Sequence, residues 1–396
     1  MYNTDANQKA GWGVLTGIRP VKLAGELYEK LHCKTQVKNA LINEYLLSAE
    51  KAELLIGIYE YQREILPGPV AGQAGIYIGI PFCPTRCLYC SFTSNQALGS
   101  KIVEYMDALY KEIEFAGREM KSADIKPETV YIGGGTPTTL DSLQLEQLFV
   151  HIKNNFDLSA LKEFTVEAGR PDTITPDKLK VIKEAGVSRI SINPQSMQDK
   201  TLKLIGRSHT PQDIRDAFFA ARAGGSCIIN MDIIAGLPEE SVPDFLDTMK
   251  QVIKLGPENI TVHTLAVKRA SKLIDMNKDY HHEKGGPVRE MLYACNEILR
   301  GEGYVPYYLY RQKRMAGSFE NMGWCKRGAA GVYNIRIMEE KQTVIALGAG
   351  GITKVYYPCE NRLERVPNVT NYELYISRID EMLERKKENL FNQEGI

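Results

Sequence analysis

The chain has no long apolar run, no net charge and no low-complexity tract, and each lack closes off a class of protein. None of its hydrophobic stretches approaches the about 20 residues needed to cross a bilayer, so no membrane span is expected. Lys and Arg number 49 and so do Asp and Glu. That balance leaves no overall positive field to draw a nucleic-acid backbone, and no nucleic-acid partner is expected. The opening "MYNTDANQKAGWGVL" lacks the basic start, apolar middle and small-residue cleavage site of a secretory signal, which points to a cytoplasmic protein. Cysteine is sparse, eight in 396 residues, yet three fall in the one loop "CPTRCLYCSF" (83–92). A secreted disulfide framework needs a short, cysteine-dense chain; this local concentration in a long one points to metal or redox chemistry in a reducing compartment.

What is present is an alternation. From about residue 75, short β-rich runs alternate with amphipathic stretches, the pattern of a parallel sheet with crossover helices. The expected strands are "GIYIGI" (75–80), "ETVYIGG" (128–134), "EFTVEA" (163–168), "RISINPQ" (189–195), "CIINMDII" (227–234) and "NITVHTL" (259–265). Between the first two, Ile102, Met106, Leu109, Ile113 and Ala116 recur at helical spacing and leave Lys101, Glu104, Lys111 and Glu112 for solvent. Stretches 175–186, 210–225 and 241–256 each open on Ser or Thr with Pro nearby and close on Gly, the start and stop signals of helices.

At 396 residues the chain exceeds one ordinary core unless an α/β barrel takes most of it. The expected fold is therefore α/β: a partial (β/α)6 TIM-like barrel over 71–310, a helical N-terminal segment over 1–70, and a smaller C-terminal accessory domain over 311–396. Before the linker "PGPVAGQAG", residues 35–66 read as one or two helices. After 310 the pattern weakens to a strand broken by glycines (343–357) and a final amphipathic helix (372–390).

The cysteine loop follows the first strand, and the loops at the C-terminal ends of barrel strands build active sites. A structural zinc takes four protein ligands, but the nearest later Cys and His, Cys227 and His151, are not at zinc-finger spacing. A three-ligand catalytic zinc and an iron–sulfur cluster on three thiolates both stay open at this point. Cys33, Cys227, Cys295, Cys325 and Cys359 are scattered and read as small core residues.

The spacing of Cys83, Cys87 and Cys90 after a first strand resembles the signature of the radical S-adenosylmethionine superfamily. The resemblance implies one 4Fe–4S cluster on those three thiolates. Its fourth iron is open to the amino and carboxylate groups of S-adenosylmethionine, and the reduced cluster cleaves the sulfonium to a 5′-deoxyadenosyl radical. "YIGGGTPT" (131–138) is similar to the glycine motif of one subfamily, the oxygen-independent coproporphyrinogen III oxidases. The positions that then match adenosylmethionine contacts are Tyr77, Tyr89, Gly134, Gly135, Thr136, Glu167, Gln195, Arg207, Asp232, Ala266 and Ile352. Read without the resemblance, the glycines make a strand-to-helix turn, and a polar group at a strand end is a solvated cap. Several such groups at successive strand ends would cost several kcal/mol if buried unpaired, so a polar ligand among them is a sensible partner. In the oxidases these positions serve two adenosylmethionine molecules, and one or two are expected here.

"GWGVLTGIRPVKL" (11–23), "EFTVEAGRPDTIT" (163–175) and "YYLYRQKRMAGSFENMGW" (307–324) resemble the coproporphyrinogen dehydrogenase type of that subfamily, whose members usually begin earlier than this chain. The implied partners are a tetrapyrrole and a low-potential electron donor of the flavodoxin or ferredoxin class. A tetracarboxylate substrate wants cations, and Lys268, Arg269, Arg311, Lys313 and Arg314 are candidates, Arg for its bidentate match to carboxylate. Phe92 stands where the established oxidases carry a further Cys, as in the haem-trafficking relatives. His209 and His263 read as structural histidines, with haem ligation the alternative for His263; His281 and His282 read as loop residues. A haem-binding carrier and a radical methyltransferase that opens the haem ring are the competing functions.

Overall fold

The six expected strands form and pair in chain order, each parallel to the next: β1 (Gln73–Ile80), β2 (Lys126–Gly134), β3 (Glu163–Glu167), β4 (Arg189–Ser191), β5 (Ile228–Ala235) and β6 (Asn259–Thr264). The computed structural model describes residues 11–17, 19–90, 95–96, 99–225, 228–266, 285–313 and 315–392. Along β1, Ile76, Ile78 and Ile80 are fully buried on one face, so Tyr77 and Gly79 fall on the other. The register sets Tyr77 beside Tyr131 on β2. Both rings therefore look into the lumen.

Helices cover the outer face, and their ends follow the sequence signals. The N-cap side chains of Thr175, Thr210 and Ser241 accept hydrogen bonds from the amides three residues on, opening α6 (Pro176–Glu184), α8 (Pro211–Gly224) and α9 (Val242–Leu255). Asp141 and Gln144 make a reciprocal capping box at the start of α5 (Ser142–Asn155). Helix α4 (Gly99–Ser122) buries Met106, Leu109, Ile113 and Ala116 as expected. Glu112, expected toward solvent, is instead buried, because the chain's last helices lie over it: Lys386 and Tyr375 both donate to its carboxylate.

Three features depart from the sequence-based expectations. "RISINPQ" stops being strand at Ser191. Pro194 has no N–H to give a ladder, and Gln195 turns to the left-handed region (φ +63°), joining β5 only through a bridge to Ile233. Residues 343–357 are not one interrupted strand but a hairpin, β9 (Val344–Leu347) and β10 (Ile352–Tyr357), antiparallel across "GAGG". Gly348 sits at φ +90°, and a Cβ there would lie 2.5 Å from the Gly79 carbonyl oxygen. The final helix is divided into α12 (Tyr372–Ser377) and α13 (Ile379–Lys386), followed by a π-turn.

Beyond the six strands the sheet keeps going. Its order is β11-β10-β9-β1-β2-β3-β4-β5-β6-β8-β7, with β7 (Val305–Tyr310), β8 (Asn321–Cys325) and β11 (Arg362–Pro367) completing eleven strands. Among the described residues the sheet does not close; β11 and β7 are its edges. The expected division at 310 falls between β7 and its partner β8, so one sheet runs through it. On the N-terminal side, α1 (Pro20–Leu31) precedes the two helices α2 (Lys34–Asn43) and α3 (Ala49–Ile65). Helix α7 (Asp199–Leu204) follows β4, α10 (Gly285–Gly301) follows the sixth strand, and α11 (Val332–Glu339) lies between β8 and β9. Glu163 at the start of β3 accepts from the backbone amides of Val332 and Tyr333, which fixes the N-terminus of α11 beneath the lumen.

Candidate functional site

A single cavity of about 580 Å³ occupies the lumen and opens at the C-terminal ends of the parallel strands. Its wall takes residues from every barrel strand. Cys83, Cys87 and Cys90 line it, as do Tyr77, Tyr89, Gly134, Gly135, Thr136, Glu167, Gln195, Arg207, Asp232 and Ala266. Ile352 does not: it opens β10, 48% exposed, outside the cavity wall.

The glycine motif is shaped first by the protein itself. The amides of Gly135 and Thr136 donate to the carbonyls of Ile80 and Phe82, both 2.8 Å. A Cβ on Gly135 would meet the Phe82 carbonyl oxygen at 2.5 Å, so only glycine lets the backbone run this close to the cysteine loop. Thr136 is thereby set 3.4 Å from the Cys83 sulfur. On the other side, the Leu88 amide donates to Ile205, and Arg207 ties three loops together. Its guanidinium donates to Gly169 O (3.1 Å), Asn193 O (2.9 Å) and the Tyr89 hydroxyl (3.1 Å). Arg170 meets Asp172 bidentately and donates to Thr85 in the cysteine loop at 2.6 Å. The loop is braced at both flanks.

Two carboxylates face the lumen with different electrostatics. Glu167 accepts a short hydrogen bond from Tyr131; burial pushes its carboxyl up to about 7, aided by the charge of Asp232. For Asp232, burial works upward too, but His263, Asn230 and Thr261 outweigh it and hold the group below its ordinary value. Asn230 donates to it at 2.7 Å, and the His263 ring lies 3.6 Å away with its other nitrogen 3.4 Å from the Tyr310 hydroxyl. His263 thus belongs to the cavity wall, whereas His209 is buried 4.0 Å from Asp172, outside that wall. Gln195 carries a buried side-chain oxygen with no protein partner and lines the cavity.

Aromatic rings form the rest of the wall. Tyr131 stacks on Tyr333 of α11 at 4.3 Å between centroids and on Tyr77 at 6.2 Å; Tyr308 and Tyr310 on β7 stack at 6.4 Å. Tyr333, Tyr308 and Tyr310 were not legible as site residues, because α11 and β7 lie beyond the regular alternation. Tyr131 was missed as well, although the quoted motif offered a signal for it: it stands two residues before Gly133 on the lumen side of the strand. Of the proposed substrate cations, Arg311 is taken up by Leu15 O at 2.6 Å and the Trp12 ring, and neither it nor Lys313 lines the cavity. Lys268, Arg269, Arg314, Phe92, Cys227, His281 and His282 lie outside the described residues.

Among the described residues no three His, Cys, Asp or Glu side chains converge on the position of one metal ion. Three free thiols from one loop, all on the cavity wall, are the soft donors that an iron–sulfur cluster takes. An acid-lined, tyrosine-walled lumen with an unpartnered amide oxygen also suits a cofactor bearing ammonium, sulfonium and hydroxyl groups. The donor set fits a 4Fe–4S cluster with adenosylmethionine beside it.

Residues 77–252 match the model of the radical SAM superfamily, the stretch from Tyr77 on β1 through α9. The chain belongs to this superfamily, a class that implies a 4Fe–4S cluster and S-adenosylmethionine. Within it, the chain is 39% identical over 389 residues to the oxygen-independent coproporphyrinogen-III oxidase-like protein HemZ of Bacillus subtilis (strain 168), covering 97% of this chain and 77% of that protein. It is also 37% identical over 193 residues to the heme chaperone HemW of the same organism, 48% of this chain and 50% of HemW. HemW of Escherichia coli (strain K12) is 33% identical over 199 residues, 49% of this chain and 50% of that protein. The chain spans about half the length of these two chaperones. Among solved structures, coproporphyrinogen III oxidase (HemN) from Escherichia coli shares the fold, with a TM-score of 0.61 at 20% identity over 79% of this chain and 70% of that one. No helix among the described residues is long and apolar enough to cross a membrane.

Proposed function

We propose that the chain is a radical SAM oxidoreductase that converts coproporphyrinogen III to protoporphyrinogen IX without oxygen, in the cytoplasm. The observation that carries this is the meeting, in one lumen, of three thiols on a single loop with polar groups from the ends of β2, β3, β5 and β6. When bound, the cluster and adenosylmethionine supply hydrogen-atom abstraction from the carbon β to a propionate carboxylate. Each propionate would lose that hydrogen atom and carbon dioxide and give up one electron to a one-electron acceptor, leaving a vinyl group; two propionates would react. The proposed adenosylmethionine contacts are Tyr77, Tyr89, Gly134, Gly135, Thr136, Glu167, Gln195, Arg207, Asp232 and Ala266, for one or two molecules. Ile352 is dropped from that set because it lies outside the cavity wall.

The protein's own contribution is binding and exclusion. Glu167 and Asp232 offer anionic partners to a cationic cofactor, and the tyrosine wall keeps water from a reactive center. Arg170, Arg189 and Arg207 line the cavity but are held by protein partners; the cations proposed for carboxylate binding are Lys268 and Arg269, two and three residues after Ala266 in the sequence, and Arg314. A flavodoxin- or ferredoxin-class protein supplies the low-potential electron.

A haem carrier is the second reading, favoured by Phe92 two positions beyond Cys90 and by the similarity to HemW. One anaerobic assay separates the two. Reconstituted, reduced protein is mixed with adenosylmethionine and either coproporphyrinogen III or haem, and the products are read by mass spectrometry. Vinylated porphyrinogen with stoichiometric 5′-deoxyadenosine is the expected result. Tight haem with no product, or a methylated, opened tetrapyrrole with adenosylhomocysteine, overturns it.

A further inference from the structure

At the end of the sheet away from the cavity mouth, four cations gather on one carboxylate. Glu340, just past the end of α11, receives Arg19 at 2.8 Å, Arg365 at 3.2 Å, Lys22 at 3.5 Å and Lys354 at 3.6 Å. Lys354 pairs with Val344 at the start of β9, the strand whose far end, Leu347, lies beside Ile78 toward the mouth. The cluster is therefore remote from the thiols.

Three local choices here run against stability. Lys354 and Arg365 stand directly opposite each other in the antiparallel β10–β11 pair, where like charges repel. Arg19 and Lys22 occupy the N-cap and first turn of α1, the positive end of the helix dipole, with no acidic residue and no side-chain cap there. The Arg19 Nε is buried without a partner. Among the described residues, the carbonyl end of α11 adds to Glu340, with Ile337 O accepting from Lys354 at 3.4 Å. Glu29 is spent on Lys341.

Elsewhere buried carboxylates meet one or two cations each: Glu112 with Lys386, Glu128 with Arg336 and Lys162, Glu163 with Arg189. Four cations sharing the one carboxylate of Glu340, two of them opposed across a ladder, mark a place short of negative charge. We propose that Arg19, Lys22, Lys354 and Arg365 form a binding site for a small oxyanion of two or more charges, with the chemistry of a phosphate or phosphate ester. Side chains of Arg19, Lys22 and Lys354 are 17%, 23% and 12% exposed, with Arg365 open at 53%. With three of the four cations mostly covered and Arg365 open, a compact anion entering past Arg365 reaches more of them than the flat face of an acidic protein would. The two guanidinium groups supply the planar donors that phosphate oxygens match. Burial, then repulsion from Arg19, pushes the Lys354 amine down to about 8. An arriving dianion reverses that, so binding near pH 9 takes up a proton.

The site does not depend on the chemistry assigned to the cavity, and its test reads binding alone. Inorganic phosphate is titrated calorimetrically into the full-length, cluster-loaded chain at constant ionic strength, with chloride as control and in two buffers of different ionisation heat. Saturable phosphate binding is expected, tenfold or more weaker in Lys22→Ala/Arg365→Ala and retained in Arg365→Lys. Absence of phosphate-specific heat, an unchanged affinity in the double variant, or binding of polyglutamate but not phosphate overturns the assignment.

Discussion

Glu167 sits in the lumen with Tyr131 donating to it and, among the described residues, no cation bonded to it, and this decides how it responds to pH. Its folded value of about 7 exceeds the ordinary 4.5, so the folded state holds the proton more tightly. Its contribution to stability is thus fully present below pH 4.5 and lost as pH rises through 7, about 3 kcal/mol in all. Thermal unfolding of the cofactor-free chain should show that loss, and Glu167→Gln should remove it. A bound cation reverses the preference. Adenosylmethionine affinity should therefore rise about tenfold between pH 6 and pH 8, flatten in Glu167→Gln, and shift its midpoint upward in Tyr131→Phe, which deletes a hydrogen bond that favours the ionised form. Equilibrium binding across that pH range checks all three.

At the scale of elements, the glycine motif and the cysteine loop behave as one unit. Gly135→Ala forces a methyl to 2.5 Å from the Phe82 carbonyl oxygen and must displace the loop that carries Cys83. Iron and sulfide per chain should fall well below the wild-type value. Gly169→Ala, where the nearest atom is the Asn193 amide nitrogen at 3.4 Å, should retain both. The sequence made the cysteine loop, the three glycines and the carboxylates on β3 and β5 legible because each sits at a strand end in a regular alternation. It did not reveal the end of β4, since an apolar run reads the same whether or not Pro194 can join a ladder. Nor did it reveal the lumen's second wall. Tyr308, Tyr310 and Tyr333 come from β7 and α11, which reach the cavity only through sheet pairing and the Glu163 cap, contacts made over 169 residues of chain.

The whole molecule is closed by charges far apart in sequence. Glu112 and Lys386 are both buried and meet across 274 residues, with Tyr375, Asn368 and the Gly348 amide completing the carboxylate's partners. Periodicity alone put Glu112 toward solvent; only the docked C-terminal helices turn that face inward. Lys386→Ala leaves a buried carboxylate unpaired and should cost about 3–5 kcal/mol, while Glu112→Gln/Lys386→Met should recover much of it. Chemical denaturation followed by circular dichroism measures both. The same docking seats β9 beside β1, and so supports the strand from which the cysteine loop departs.

Electron paramagnetic resonance of the anaerobically reduced chain, recorded with and without adenosylmethionine, tests the central claim most directly. A 4Fe–4S signal that changes when the cofactor is added, and that disappears in Cys83→Ala/Cys87→Ala/Cys90→Ala, is the predicted result. A chain that holds no iron, or a cluster signal that is indifferent to the cofactor or survives loss of the three thiols, contradicts it.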